Sequence, residues 1–273
     1  MSKKNLRKRK NNSEYGECKL TRKHGKYIDS HILPRSITIL SRNGERAIEA
    51  GIDIPTKKKF QGWYDNELVI AEGEKYLTEL DTKGIKELRK NKLIWSGWPT
   101  SMTTLDDSET FLDERSGIGY RVINNIDHKL IKLFFMSLLW RASASERYEM
   151  KDVKLPQEKI ETLRNSIINH DDLNLIDFPI IFDQIITKGI VHNRTPIMEE
   201  IGIPFHDGSE KKYKSCRFYF DGLITRIILN PDSEIIENLG PLILGNKNKL
   251  LLTIHTFDSS RAKEDLQHVI KNA

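Results

Sequence analysis

The run from Ile126 to Ala144, IDHKLIKLFFMSLLWRASA, is apolar on nearly every side of a helix. A helix with one apolar stripe covers one side of a core, whereas a helix apolar all round must be enclosed by other elements. The chain is therefore expected to build its layers around this segment, with Asp127 as the N-cap. Its most apolar part, Leu130–Trp140, is interrupted by Lys132 and is about half of the roughly 20 residues that a membrane span needs. No membrane partner is expected. With 38% hydrophobic residues in 273, a globular core is within reach.

Other elements follow from period and punctuation. Leu77, Leu80, Ile85 and Leu88 share one helical face within Lys75–Lys90, with acidic residues early and Arg89 and Lys90 late, as the helix dipole prefers. Gly84 is that helix's weak point. Leu155-Pro156-Gln157 opens a further helix, with Pro156 in the first turn and Ile160, Leu163 and Ile167 in period. Phe178–Ile186 is a short β-branched run. Ser215–Asn230 reads as two strands around Asp221-Gly222, a hairpin signal because both central positions of that turn need positive φ. Leu250–Phe257 is another strand, and Ser259 or Ser260 is placed to cap a terminal helix through Leu266, Val269 and Ile270.

The fold class read from this pattern is α+β, with a small N-terminal module, a helical segment and a C-terminal antiparallel sheet. The expected boundaries are a basic flexible arm at 1–13, the module at 14–92, a linker at 93–125 and an α+β domain at 126–273. Trp95 and Trp98 in the linker read as a plug at the module junction, and Phe218, Tyr219 and Phe220 as sheet core.

Charge is concentrated at one end. Residues 1–30 carry ten basic and three acidic side chains, a net of +7, so the rest of a +5 chain sums to −2. Lys3, Lys4, Arg7, Lys8, Arg9 and Lys10 form an arm that attracts a polyanion with little sequence preference. A solubilising tail has the same composition. The arm runs into Asn11, Asn12, Ser13 and Glu14 rather than an apolar segment, so it does not read as a secretory signal, and a cytoplasmic location is expected. The two cysteines, Cys18 and Cys216, stand far apart, which argues against a disulfide framework and a four-thiolate zinc site. Cys216 reads as a small buried strand residue.

Four stretches occur in one order: Cys18-Lys19-Leu20-Thr21, Ser30-His31-Ile32-Leu33-Pro34-Arg35, Gly62-Trp63-Tyr64-Asp65-Asn66 and Val69-Ile70-Ala71-Glu72-Gly73-Glu74. Together they resemble the HNH-endonuclease-like proteins of bacteria, which begin with a Cys-x-x-Cys knuckle, continue through Ser-His-Ile-Ile-Pro and a Gly-x-Tyr-Asp turn, and close with a second knuckle and an acidic helix. Asp81 falls where that helix carries its acidic residue. Leu133–Ser143, ending Trp140-Arg141-Ala142-Ser143, is similar to the apolar helix that follows the module there, and the hairpin near Phe218–Ile228 to their C-terminal sheet.

The resemblance implies a nucleic-acid partner, DNA rather than RNA, and a setting in bacterial defence or mobile elements, where a protein partner in a defence complex is a further expectation. It also implies that His31 is the general base and that a divalent metal, Mg²⁺ here, stabilises the developing charge. Asp65 and Glu74 are the oxygen ligands such a site would use, and Asn66 takes the middle Asn role. Arg35 and the cluster Lys57, Lys58 and Lys59 join the arm as phosphate contacts. Departures from the family pattern are as informative. Of four knuckle cysteines only Cys18 is present; Thr21, Ile70 and Gly73 replace the others, and one thiolate cannot hold a tetrahedral zinc. No zinc is expected, and Trp63, Tyr64, Val69, Ile70 and Tyr76 are expected to hold the module by packing. Two readings follow: a zinc-free, diverged endonuclease, or a catalytically inactive binding or regulatory subunit in which His31 is a hydrogen-bonded structural residue.

Overall fold

The structure, a computed structural model, describes residues 14–38, 47–51, 54–59, 62–106 and 110–271, and for 47–59, 265 and 268–271 the backbone alone. In chain order the elements are β1 (Tyr15–Glu17), β2 (His24–Lys26), β3 (Ser30–His31), α1 (Arg35–Thr38), β4 (Ala47–Gly51), β5 (Ile54–Lys59), β6 (Tyr64–Asp65) and α2 (Ala71–Lys90). There follow β7 (Thr110–Asp113), β8 (Ile118–Asn124), α3 (His128–Ala144), α4 (Gln157–Asn169), β9 (Ile180–Ile185) and β10 (His192–Arg194). The chain then runs through β11 (Ile197–Pro204), β12 (Glu210–Phe220), β13 (Leu223–Ile228), α5 (Ser233–Leu239), β14 (Lys249–His255) and α6 (Arg261–Lys271).

Helix α3 is the centre of the molecule. Every residue from Ile131 to Ser143 is buried, as an all-round apolar surface requires. Asp127 caps it, accepting from the Leu130 amide at 3.0 Å. On one side Phe135 meets Phe182 of β9 at 5.4 Å and Phe220 of β12 at 6.0 Å between ring centroids. On another side α2 crosses it at Gly84, where a Cβ would stand 2.7 Å from the Phe134 ring. The glycine that weakens α2 as an isolated helix is what lets the two helices approach.

The main sheet has seven strands in the order β11-β12-β13-β9-β14-β8-β7. It corrects the expected C-terminal antiparallel sheet in two respects. The β9–β14 pair is parallel, and β7 and β8 come from before α3, out of the stretch 93–125 that was expected to be a linker. The reason lies in their side chains. Arg121 points into the core and donates to Gln184 Oε1 at 2.9 Å, while Ile118 and Tyr120 point outward and are 46% and 47% exposed. The polar-out, apolar-in alternation that marks a half-buried strand is inverted there.

The β12–β13 hairpin turns at Asp221 (φ 51°) and Gly222 (φ 79°), as a two-residue turn with both φ values positive demands. Trp95 lies on Gly222, where a Cβ would stand 2.3 Å from its ring, and its indole N–H donates to the Ile185 carbonyl at 2.8 Å. It plugs the end of the sheet, and Trp98 is buried beside it. Ser260 caps α6 through the Lys263 amide at 3.4 Å, and Cys216 and Phe218–Phe220 are buried in β12. Pro156 occupies the N-cap of α4, one position before the first turn.

Candidate functional site

The N-terminal unit is assembled by three local devices. The β1–β2 hairpin encloses a turn in which the Cys18 amide donates to the Lys23 carbonyl at 2.9 Å and the Thr21 amide to Cys18 Sγ at 3.4 Å. This turn docks on the segment before α2, with Lys19 N donating to the Leu68 carbonyl at 3.0 Å and Ile28 N to the Val69 carbonyl at 3.2 Å. A Cβ on Gly73 would stand 2.7 Å from Cys18 Sγ. The four positions of the resemblance's knuckles are thus drawn to one place, where Cys18, Val69 and Ile70 are buried in contact with the core. Of the expected packing residues Trp63 is also buried, whereas Tyr64 and Tyr76 are half-buried.

The third device is the pairing of β3 with β6, which α2 follows to complete a ββα unit. Ser30 opposes Asp65 and His31 opposes Tyr64. Opposed residues of an antiparallel pair share a face, so Ser30 and Asp65 point one way, into the protein, and His31 and Tyr64 the other. That register separates the expected ligands. Asp65 is 4% exposed and accepts from Ser145 Oγ at 2.6 Å and from the Glu67 amide at 2.8 Å. Glu74 accepts from Ser30 Oγ at 2.6 Å, and its burial raises its pKa. Asn66 is exposed in the turn after β6. Among the described residues no group of three or more His, Cys, Asp or Glu side chains is placed to hold a metal ion. The residues present do not fit a magnesium site made by His31, Asp65 and Glu74, because Asp65 is on the far face from the imidazole and both carboxylates already serve neighbouring hydroxyls.

His31 is held from behind. Arg141, 1% exposed, donates to the His31 carbonyl at 3.0 Å, to Asp81 Oδ2 at 3.0 Å and to Ser137 Oγ at 3.0 Å. One guanidinium therefore ties the histidine motif to α2 and α3. The imidazole itself is half-buried, and its pKa is lowered from 6.5 by burial first, then by the positive charges of Arg35 and Arg141.

The open face of the β3–β6 pair carries the remaining chemistry. The His31 and Tyr64 rings lie 6.5 Å apart, the Arg147 guanidinium lies over Tyr64 at 5.9 Å, and Arg35 is exposed at the start of α1. Sequence reasoning reached His31 and Arg35 but not Tyr64 or Arg147 as site residues, since their meeting depends on how α3 ends against β6. The carboxylate partner of Arg141 is Asp81. Lys57, Lys58 and Lys59 end β5, paired along the backbone with Glu49, Ile48 and Ala47, and their side chains lie outside the described residues. So do Lys3, Lys4, Arg7, Lys8, Arg9 and Lys10 altogether.

The chain matches no family model, no curated protein and no solved structure. Among the described residues no helix is long and apolar enough to cross a membrane.

Proposed function

We propose that this chain is a nucleic-acid-binding protein of the HNH-like class, in which the histidine hairpin holds its ligand rather than hydrolysing it. One observation carries the reading. Three carboxylates around the motif are engaged by the chain's own side chains, Asp65 by Ser145, Glu74 by Ser30 and Asp81 by Arg141, while Asp29 is exposed beside Ser30. The opposite, open face meanwhile offers an imidazole, a tyrosine and two arginines. Such a face suits a phosphodiester ligand, because cations meet its phosphates and rings its bases. The basic arm and Lys57–Lys59 add sequence-independent attraction. In a defence or mobile-element setting the protein then acts as a binding or regulatory subunit alongside a protein partner.

A diverged Mg²⁺-dependent endonuclease is the second reading, and His31 favours it: a general base accepts a proton from its neutral form, and burial with the charges of Arg35 and Arg141 lowers the pKa of this imidazole. Incubating the full chain with DNA and with RNA in Mg²⁺ or Mn²⁺ separates the two. The binding reading predicts no cleavage that His31→Ala removes; metal-dependent cleavage lost in that variant overturns it.

A further inference from the structure

Past the end of α3 the chain makes a short 3-10 turn, Tyr148–Met150, and Ser145 and Arg147, just before it, come up against β6. Two bonds fix that approach. Ser145 Oγ donates to the buried Asp65 carboxylate at 2.6 Å, and the Arg147 amide donates to the same hydroxyl at 3.2 Å. Because Asp65 and Tyr64 are neighbours on one strand, anchoring Ser145 to the first places Arg147 over the ring of the second. The pattern repeats at once. Lys151 Nζ lies 4.6 Å from the centroid of the Tyr148 ring and bonds its hydroxyl at 3.1 Å. Tyr148 is 59% exposed, among the largest exposures of any apolar or aromatic side chain described.

Two cation–ring pairs therefore follow one another in this segment, Arg147 over Tyr64 and Lys151 over Tyr148. The charges are partly compensated within the chain, and Glu149 pairs with Arg147 at 3.4 Å. A cation over a tyrosine is attracted to the ring face and sets a phosphate-seeking charge beside a ring on which a base can stack. A duplex can use the charges but keeps its base faces covered, whereas an unpaired strand can use both.

We propose that His31, Tyr64, Arg147, Tyr148 and Lys151, with Arg35 beside them, form a track for single-stranded nucleic acid. The proposal rests on the nucleic-acid reading above and narrows its ligand. Phosphates meet Arg35, Arg147 and Lys151, and unpaired bases stack on Tyr148 and Tyr64. DNA and RNA single strands share this chemistry.

The test is fluorescence anisotropy of the full chain, in EDTA, with labelled oligo-dT, oligo-U and a duplex of equal length. The track predicts tighter binding of single strands than of duplex. Tyr148→Ala weakens single-strand binding about tenfold and Tyr148→Phe restores it, as one lost stacking platform implies. Removing both cations in the Arg147→Ala, Lys151→Ala variant lowers the single-strand salt slope by about 1.4, roughly 0.7 per phosphate contact. The oligo-dT and oligo-U arms identify which strand is preferred. If the parent binds nucleic acid but prefers duplex, or if these variants bind single strands within twofold of it, the track is wrong and the nucleic-acid reading stands. If the parent binds none of the three at low salt, both fail.

Discussion

Ser145 and Asp65 meet at 2.6 Å between a serine that ends α3 and a carboxylate on β6, 80 positions apart and both shielded from solvent. The hydroxyl cannot be replaced by water without opening the contact. Ser145→Ala is expected to cost about 1–3 kcal/mol in urea unfolding, the range for a buried acceptor left short of a donor. A double-mutant cycle with Asp65→Asn should show coupling; strict additivity would mean that the two side chains act separately.

Arg141 presents the larger effect. Removing it strands Asp81 and the His31 carbonyl, so Arg141→Met is expected to lose about 3–5 kcal/mol, as when one partner of a buried ion pair is deleted. Arg141→Lys should recover only part of this, since an ammonium cannot span Asp81, Ser137 and His31 as the guanidinium fork does. Full recovery by lysine would contradict that geometry.

Gly84→Ala separates two opposing effects. Helix propensity alone favours alanine by about 1 kcal/mol, but the new methyl would stand 2.7 Å from the Phe134 ring. Overpacking a core costs about 1–3 kcal/mol, so net destabilisation is expected. A rise in thermal midpoint would show that α2 and α3 do not cross there.

Lys132 supplies a pH dependence. Its Nζ donates to the Asn174 carbonyl at 2.6 Å, and burial, partly offset by Asp172, Asp177 and Asp171, lowers its pKa from 10.5 to about 8. Between those values the unfolded chain holds a proton that the folded chain has released, so stability from this group rises with pH over that interval. Below about 8 both states are charged and the cost of burying the ammonium is fully present. Unfolding free energies measured against pH should show a rise in the parent that Lys132→Met lacks; identical profiles would contradict the burial.

Parts of this structure were legible in the residues because the deciding physics was local. The all-round apolar run fixed α3 as the enclosed helix, and Asp221-Gly222 fixed the β12–β13 turn through its φ requirement. β7 and β8 were hidden because Ile118 and Tyr120 face out and Arg121 faces in. The parallel β9–β14 contact joins strands with no local cue to their meeting. For the site, His31 was readable as a motif residue, but whether Asp65 stands beside it is decided by a one-residue register, and a slip of one flips a side chain to the other face. Arg147 gave no signal, because its place over Tyr64 comes from Ser145 holding Asp65.

The imidazole of His31 offers a local check on the open face. Arg35 is the larger of the two charges that lower its pKa, so Arg35→Ala should move the His31 titration, followed by NMR, upward toward 6.5. No movement would place Arg35 away from the hairpin face.

The proposal that this chain binds nucleic acid through ionic contacts stands or falls on the full chain's affinity for nucleic acid across a salt series. Binding should be readily measured at low salt and fall linearly in log–log form, by roughly 0.7–0.9 per phosphate neutralised, with a shallower slope once the arm residues Lys3, Lys4, Arg7, Lys8, Arg9 and Lys10 are replaced. No binding at low salt, or an affinity indifferent to salt, would contradict it.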